Sequence, residues 1–150
     1  MTREELLQKV KAQLKDKILN FCELSPKRVY ITVPPEDAFE ACRFLFEECG
    51  GRLVTASGVD TPDGIEILYH FGMDGQGMVL TVKTKIPTRE DPKIRSIATF
   101  LPGALWIERE IHEMLGVEFE GHPDPRRLLL PDDWPEGVYP LRRDFKGVEG

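Results

Sequence analysis

The densest group of side chains capable of acid–base or ligand chemistry is the run Glu108-Arg109-Glu110-Ile111-His112-Glu113. On a helix Glu108 and His112 stand four residues apart, as do Arg109 and Glu113, so each pair can meet as an ordinary intrahelical contact on a solvated face. A second arrangement is open to Arg109. Its planar guanidinium can clamp a carboxylate through two parallel hydrogen bonds across a buried contact, which a lysine cannot imitate. His112-Glu113 has the first half of a helical zinc motif, but the motif needs a second histidine one turn on, where Gly116 stands. His122 and Asp124, with Glu118 or Glu120 upstream, offer further ligand atoms. Gly121, Pro123 and Pro125 around them predict instead a fixed turn whose imidazole and carboxylate bond to backbone or arginine. A metal-dependent hydrolase built from His112, Glu113, His122 and Asp124 stands as the alternative function.

The remaining reactive groups form no constellation. Cys22, Cys42 and Cys49 make no CxxC pair, and an odd count suits a reducing compartment, so buried or idle thiols are expected. His70 alternates with Tyr69 and Phe71 on a predicted strand and should be exposed. The glycine-rich stretch Gly72–Gly77 joins two strands and opens no helix, so it lacks the geometry of a phosphate loop. No cofactor, metal or catalytic residue is expected. A formal charge of −6, from 26 acids against 20 bases, argues against nucleic-acid binding. The longest apolar stretches, such as Met78–Val82, are too short for a bilayer, and the charged amphipathic start has no signal-peptide core. A cytosolic chain is the expectation.

Chain length of 150 residues and 41% hydrophobic content allow one core. Thr2 and Glu5 have capping-box spacing, and Leu6, Leu7, Val10, Leu14, Ile18 and Phe21 predict an amphipathic first helix with Lys9, Lys11, Lys15 and Lys17 opposite. Val29–Val33 alternates as a strand up to Pro34-Pro35. A second helix then buries Ala38, Phe39, Cys42, Leu45, Phe46 and Cys49 and stops at Gly50-Gly51. Leu53–Asp60 and Ile65–Phe71 flank the turn Thr61-Pro62-Asp63-Gly64, and Met78–Lys85 adds a strand. Asp91-Pro92 predicts the start of a third helix, and Leu105–Leu115 a fourth ending at Gly116, with Ala104, Ile107, Ile111, Met114 and Leu115 as its apolar stripe. These elements imply an α+β fold with helices covering a small mixed or mainly antiparallel sheet, spanning residues 1–116.

From 117 to 150 the chain reads as an extended arm. Five prolines, Pro123, Pro125, Pro131, Pro135 and Pro140, forbid long regular elements. Phe119, Leu128, Leu129, Leu130, Trp134, Tyr139 and Phe145 are nonetheless more apolar material than a solvated tail holds. Such an arm lies on its own domain or on a partner, and Arg126, Arg127, Arg142 and Arg143 give it the cations to pair with a partner's carboxylates.

Glu108-Arg109-Glu110, two residues, Glu113-Met114-Leu115, six residues, His122, three residues, then Arg126 with Leu128 and Leu129 resembles the signature of the 30 kDa subunit family of respiratory complex I, the NADH:quinone oxidoreductase. Pro131-Asp132-Asp133-Trp134 and Tyr139-Pro140-Leu141-Arg142-Arg143-Asp144-Phe145 resemble its C-terminal ending. Residues 1–100 match only in length and element order. The resemblance implies a cofactor-free peripheral-arm subunit of a membrane-bound, ion-translocating oxidoreductase. It would lie on the cytoplasmic face and bind a large hydrogenase-like (49 kDa-type) subunit beside iron–sulfur subunits. The same family serves group 4 membrane-bound nickel–iron hydrogenases, to which the compact length and the ending Asp132–Tyr139 lean. Motif and interface positions carried over are Glu108, Arg109, Glu110, Glu113, His122, Asp124, Arg126, Arg127, Trp134, Tyr139, Arg142, Arg143 and Phe145.

Overall fold

Helix α1 (Arg3–Leu14) begins with a reciprocal cap: Thr2 Oγ1 accepts from the Glu5 N–H at 3.2 Å, and the Glu5 carboxylate accepts from the Thr2 N–H at 3.4 Å. Two amides that the helix itself cannot satisfy are thereby paired. The helix stops earlier than its apolar spacing predicts. Lys15 takes φ +40°, a single 3-10 turn follows, and Phe21 belongs to a strand, β1 (Asn20–Ser25). Next come β2 (Arg28–Thr32) and α2 (Pro35–Glu47), whose first residue is a proline with no N–H to lose. The meander β3 (Arg52–Thr61), β4 (Gly64–Met73) and β5 (Met78–Ile86) completes the main sheet. This computed structural model describes residues 1–126, 128–130 and 133–147. Arg127, Pro131, Asp132 and 148–150, to which parts of the sequence reading refer, lie outside the described residues.

The strand order is β1-β2-β5-β4-β3, with β2 and β5 parallel and the other pairs antiparallel, so the sheet is mixed and the fold α+β. Alternation decides which face is dry. Val29 and Ile31, then Ile65, Ile67, Tyr69 and Phe71, then Leu80 and Val82 are fully buried and form one cluster with Leu6, Leu7 and Val10 of α1 and Ala41, Cys42 and Leu45 of α2. The third helix, α3 (Leu105–Leu115), leans on the same face at β3. A side chain at Gly58 would run into Ile111 and Leu115, so glycine is what lets the helix approach.

The helix expected from Asp91-Pro92 is absent. A bend leads instead to β6 (Lys93–Arg95), which pairs in parallel with β7 (Glu118–Glu120) at the start of the arm. Glu118 N–H donates to Pro92 O and Ser96 N–H to Glu120 O, both at 2.8 Å. Ile94 and Phe119 bury their side chains in register across this small ladder. Long-range pairing with residues some 25 positions downstream overrides a local start signal, which propensity alone cannot foresee.

Candidate functional site at helix α3 and the returning arm

Between a 3-10 turn at Pro102–Ala104 and a left-handed Gly116 at φ +80°, α3 carries the motif. Its charges do not form a solvated face. Glu108 is 1% exposed, Arg109 9% and Glu113 6%, while Glu110 alone of the four points outward. Burying charged groups without partners costs several kcal/mol, so each must be compensated.

Glu108 turns to the loop ahead of the helix rather than to His112. Its carboxylate accepts from Ser96 Oγ–H at 2.5 Å and from the Ile97 N–H at 3.0 Å, and Ser96 Oγ in turn accepts from the Ala98 N–H. Burial pushes this carboxyl above the usual range, against the opposing pull of Ser96, Ile97 and His122. A carboxyl whose folded pKa is raised contributes stability that is full below its unfolded value of 4.5 and is lost as pH rises toward the folded value. Glu108→Gln should therefore gain stability relative to wild type as pH climbs from about 4.5, by no more than about 1.4 kcal/mol per pH unit, then level off. Melting both proteins from pH 4 to 8 checks this; a constant offset would show that Glu108 does not titrate in that window.

Arg109 and Glu113 reach across to the arm. Arg109 Nε donates to Arg126 O at 2.6 Å, and its Nη1 lies 3.8 Å from the Asp124 carboxylate. The Glu113 carboxylate accepts three successive backbone N–H groups, from Leu128, from Leu129 at 2.8 Å and from Leu130 at 3.2 Å. Because Arg109 holds the Arg126 carbonyl through Nε, a donor position that lysine lacks, Arg109→Lys should destabilise by about 2–3 kcal/mol although the charge is kept. Urea unfolding decides it, and an unchanged midpoint would show that the guanidinium contributes nothing there that an ammonium does not.

The turn that launches the arm is the backbone-bonded device its sequence predicts. Backbone N–H of Asp124 can only donate, so His122 Nδ1 must accept it (2.9 Å), which leaves the proton on Nε2, donating to Leu105 O at 2.9 Å. By the same logic His112 Nδ1 donates to Val117 O at 2.8 Å. Asp124 forms a two-pronged pair with the exposed Arg126, at 2.7 Å for both contacts, which holds its carboxyl down at about 2. Of the four residues a hydrolase would use, Glu113 and both ring nitrogens of His122 are thus bonded to backbone, and among the described residues no three metal-ligating side chains converge. The hydrolase alternative loses its base.

Further on, the arm folds back over the end of α3. The last helical carbonyls lack partners within the helix. Leu141 N–H donates to Met114 O at 3.0 Å, and Arg142 Nε to Leu115 O at 2.5 Å while its Nη1 bonds Arg89 O at 2.9 Å. Tyr139 lies directly on Gly116. Trp134 donates its indole N–H to Val138 O and stacks on Phe145 with ring centroids 6.4 Å apart. These rings pack within the arm and on its own helix, and Arg142 bonds carbonyls of its own chain, where a partner's carboxylates were expected.

Two residues the sequence did not single out finish the fastening. Asp60 accepts from Arg89 at 2.8 Å and 2.5 Å and from the Arg143 backbone N–H at 2.8 Å. Burial would raise its carboxyl, but Arg89 and the Arg143 N–H hold it below the ordinary value. Partners 29 and 83 residues away leave no local signal. His70, expected to be exposed, is half-buried between Ser57 and Thr81.

Residues 31–149 match the family described as the respiratory-chain NADH dehydrogenase 30 Kd subunit. The chain belongs to that family. Among family members, an NADH-quinone oxidoreductase subunit of Chloroherpeton thalassium is 41% identical over 131 residues, covering 83% of this chain but 53% of its own length, so this chain spans about half of that relative. Membrane-bound hydrogenase subunit beta of Pyrococcus furiosus is 37% identical over 127 residues, covering 81% of this chain and 72% of its own. A chain of the membrane-bound sulfane sulfur reductase, an archaeal respiratory membrane complex, superposes with a TM-score of 0.84 at 26% identity over 95% of this chain and 85% of that one. The family thus includes subunits of respiratory and hydrogenase complexes, and the α3 motif lies inside the matched span. Among the described residues no helix is long and apolar enough to cross a membrane.

Proposed function

We propose that this chain is a non-catalytic peripheral subunit of a membrane-bound, ion-translocating oxidoreductase. It docks a large hydrogenase-like subunit, next to iron–sulfur subunits, on the cytoplasmic face. The observation that carries the reading is the use made of the motif. Glu108, Arg109 and Glu113 hold backbone amides and carbonyls, so the chemistry of the motif is to fix the shape of α3 and of residues 117–147. Beside exposed charges such as Glu110 and Asp144, that shape presents four apolar side chains outward: Trp106, 67% exposed, on α3, and Leu129, Leu141 and Phe145 on the arm. Exposed aromatic and aliphatic side chains on a rigid support are the composition of interface anchors. Relatives that are subunits of NADH-quinone oxidoreductase, membrane-bound hydrogenase and sulfane sulfur reductase complexes support a parent complex of the complex I-like or hydrogenase type.

The test is copurification. A tagged chain, isolated in mild detergent from cells that carry its gene, should bring down the hydrogenase-like large subunit in equal amount. Trp106→Ala should lower that yield without shifting the melting temperature. A chain recovered alone and monomeric from intact membranes would overturn the reading.

A further inference from the structure

The sheet face that the three helices leave uncovered holds two grooves whose linings differ in charge from the rest of the chain. Cross-strand register sets Arg28, Val79 and Gly72 in one row and Tyr30, Thr81, His70 and Thr55 in the next. A groove of about 250 Å³ runs over these rows, with Val54 as a further wall. Tyr30 also lines a second groove of about 220 Å³, shared with Cys22, Leu24, Thr32 and Lys83. Neither groove is lined by a carboxylate, although acids outnumber bases 26 to 20 in the chain; Glu66 and Asp74 stand on the same face at the margins, each paired with a cation.

The cations at the two ends are placed for a ligand. Among the described residues the Arg28 guanidinium has no hydrogen-bond or ion-pair partner. Lys83 is 3.2 Å from Glu66, a carboxylate outside both grooves, and keeps two further donors. Arg28 pairs with Val79 and Thr32 with Lys83, so the two charges sit four residues apart along neighbouring strands, about 13 Å at 3.3 Å per residue. Along the strands that matches the separation of side chains i and i+4 on an extended peptide, the two cations being offset sideways by one strand spacing of about 4.8 Å. His70, held by Ser57 Oγ at 3.2 Å and Thr81 Oγ1 at 2.9 Å, keeps the floor rigid.

We propose that this face binds an extended acidic segment of a neighbouring subunit, one carboxylate on Arg28, a second on Lys83, and the ring of Tyr30 under the backbone between them. Only the source of the segment rests on the subunit reading; the recognition chemistry does not. The probe is an acetylated, amidated octapeptide with glutamates at its second and sixth positions in a threonine/valine background, titrated into the isotope-labelled chain beside its glutamine counterpart. Saturable amide shifts should centre on Tyr30, Thr81 and Lys83. Binding should weaken about tenfold or more for the glutamine peptide and for Arg28→Glu, and should fall with salt. Arg28→Gln serves if the charge reversal fails to melt like wild type. Equal affinity for the two peptides, shifts confined to α3 and the arm, or no saturation by millimolar peptide would each overturn the proposal. Self-association in solution that Arg28→Glu abolishes would give the face to a second copy and overturn it as well. A variant that loses peptide binding yet copurifies unchanged with every neighbouring subunit would sink this assignment alone, leaving the proposed function standing.

Discussion

Glu113→Ala should free the arm and lower stability by about 3–5 kcal/mol. Three backbone N–H groups, of Leu128, Leu129 and Leu130, rest on one carboxylate that is 6% exposed. Removing a buried charged acceptor leaves each donor to regain water, at roughly 1–3 kcal/mol per group before relaxation. The arm can relax by swinging away, which caps the loss below the simple sum. Against a typical total of about 5–15 kcal/mol, this is a large fraction. Glu113→Gln keeps one acceptor but turns an amide N–H₂ toward donors, so an intermediate loss of about 2 kcal/mol is expected. Two measurements separate local release from general weakening. Trypsin cleavage at Arg126 should accelerate by about a hundredfold, the factor for a local opening of roughly 2.7 kcal/mol, and the thermal melt should fall at the same time. Wild-type cleavage and melting in both variants would mean that the triple contact contributes nothing.

Gly116→Ala should cost about 2–4 kcal/mol, and most of that through one neighbour. At φ +80° an alanine pays about 1 kcal/mol in backbone strain. The added methyl would also lie 2.6 Å from Tyr139 Cζ and 2.7 Å from Cδ2, well inside contact distance, so the ring must leave its seat. A double-mutant cycle isolates this. In a Tyr139→Ala background the alanine at 116 should cost only the strain, about 1 kcal/mol, with the difference appearing as coupling. Additive losses would show that Tyr139 does not rest on the helix end.

Helix α3 was legible to the residue because its start at Leu105, its apolar spacing and the left-handed glycine are all local. The Thr2–Glu5 cap was legible for the same reason. Strand β1 was not: Phe21 falls on the helical stripe of Leu14 and Ile18, and no glycine or proline marks the break that Lys15 makes. The failed helix at Asp91 and the misplaced charges of α3 share a cause. Residues 92–96 and the acids of the motif take their partners from beyond residue 117 or from another loop, and periodicity counts only neighbours. The turn at His122 was readable because proline and glycine fix it locally.

The seat of Arg142 on Leu115 O and of Leu141 on Met114 O also sets an order of events in the making of the protein. A ribosome delivers the chain N-terminus first, at about 5–20 residues per second. The main sheet takes its strands from residues 20–86, whereas the end of α3 and the Glu113 carboxylate stay hydrated until residues 128–142 have left the exit tunnel. Chains that stop before Leu128 would therefore carry an unclosed helix end, a difference by which proteolysis can remove them before they compete for a place in an assembly.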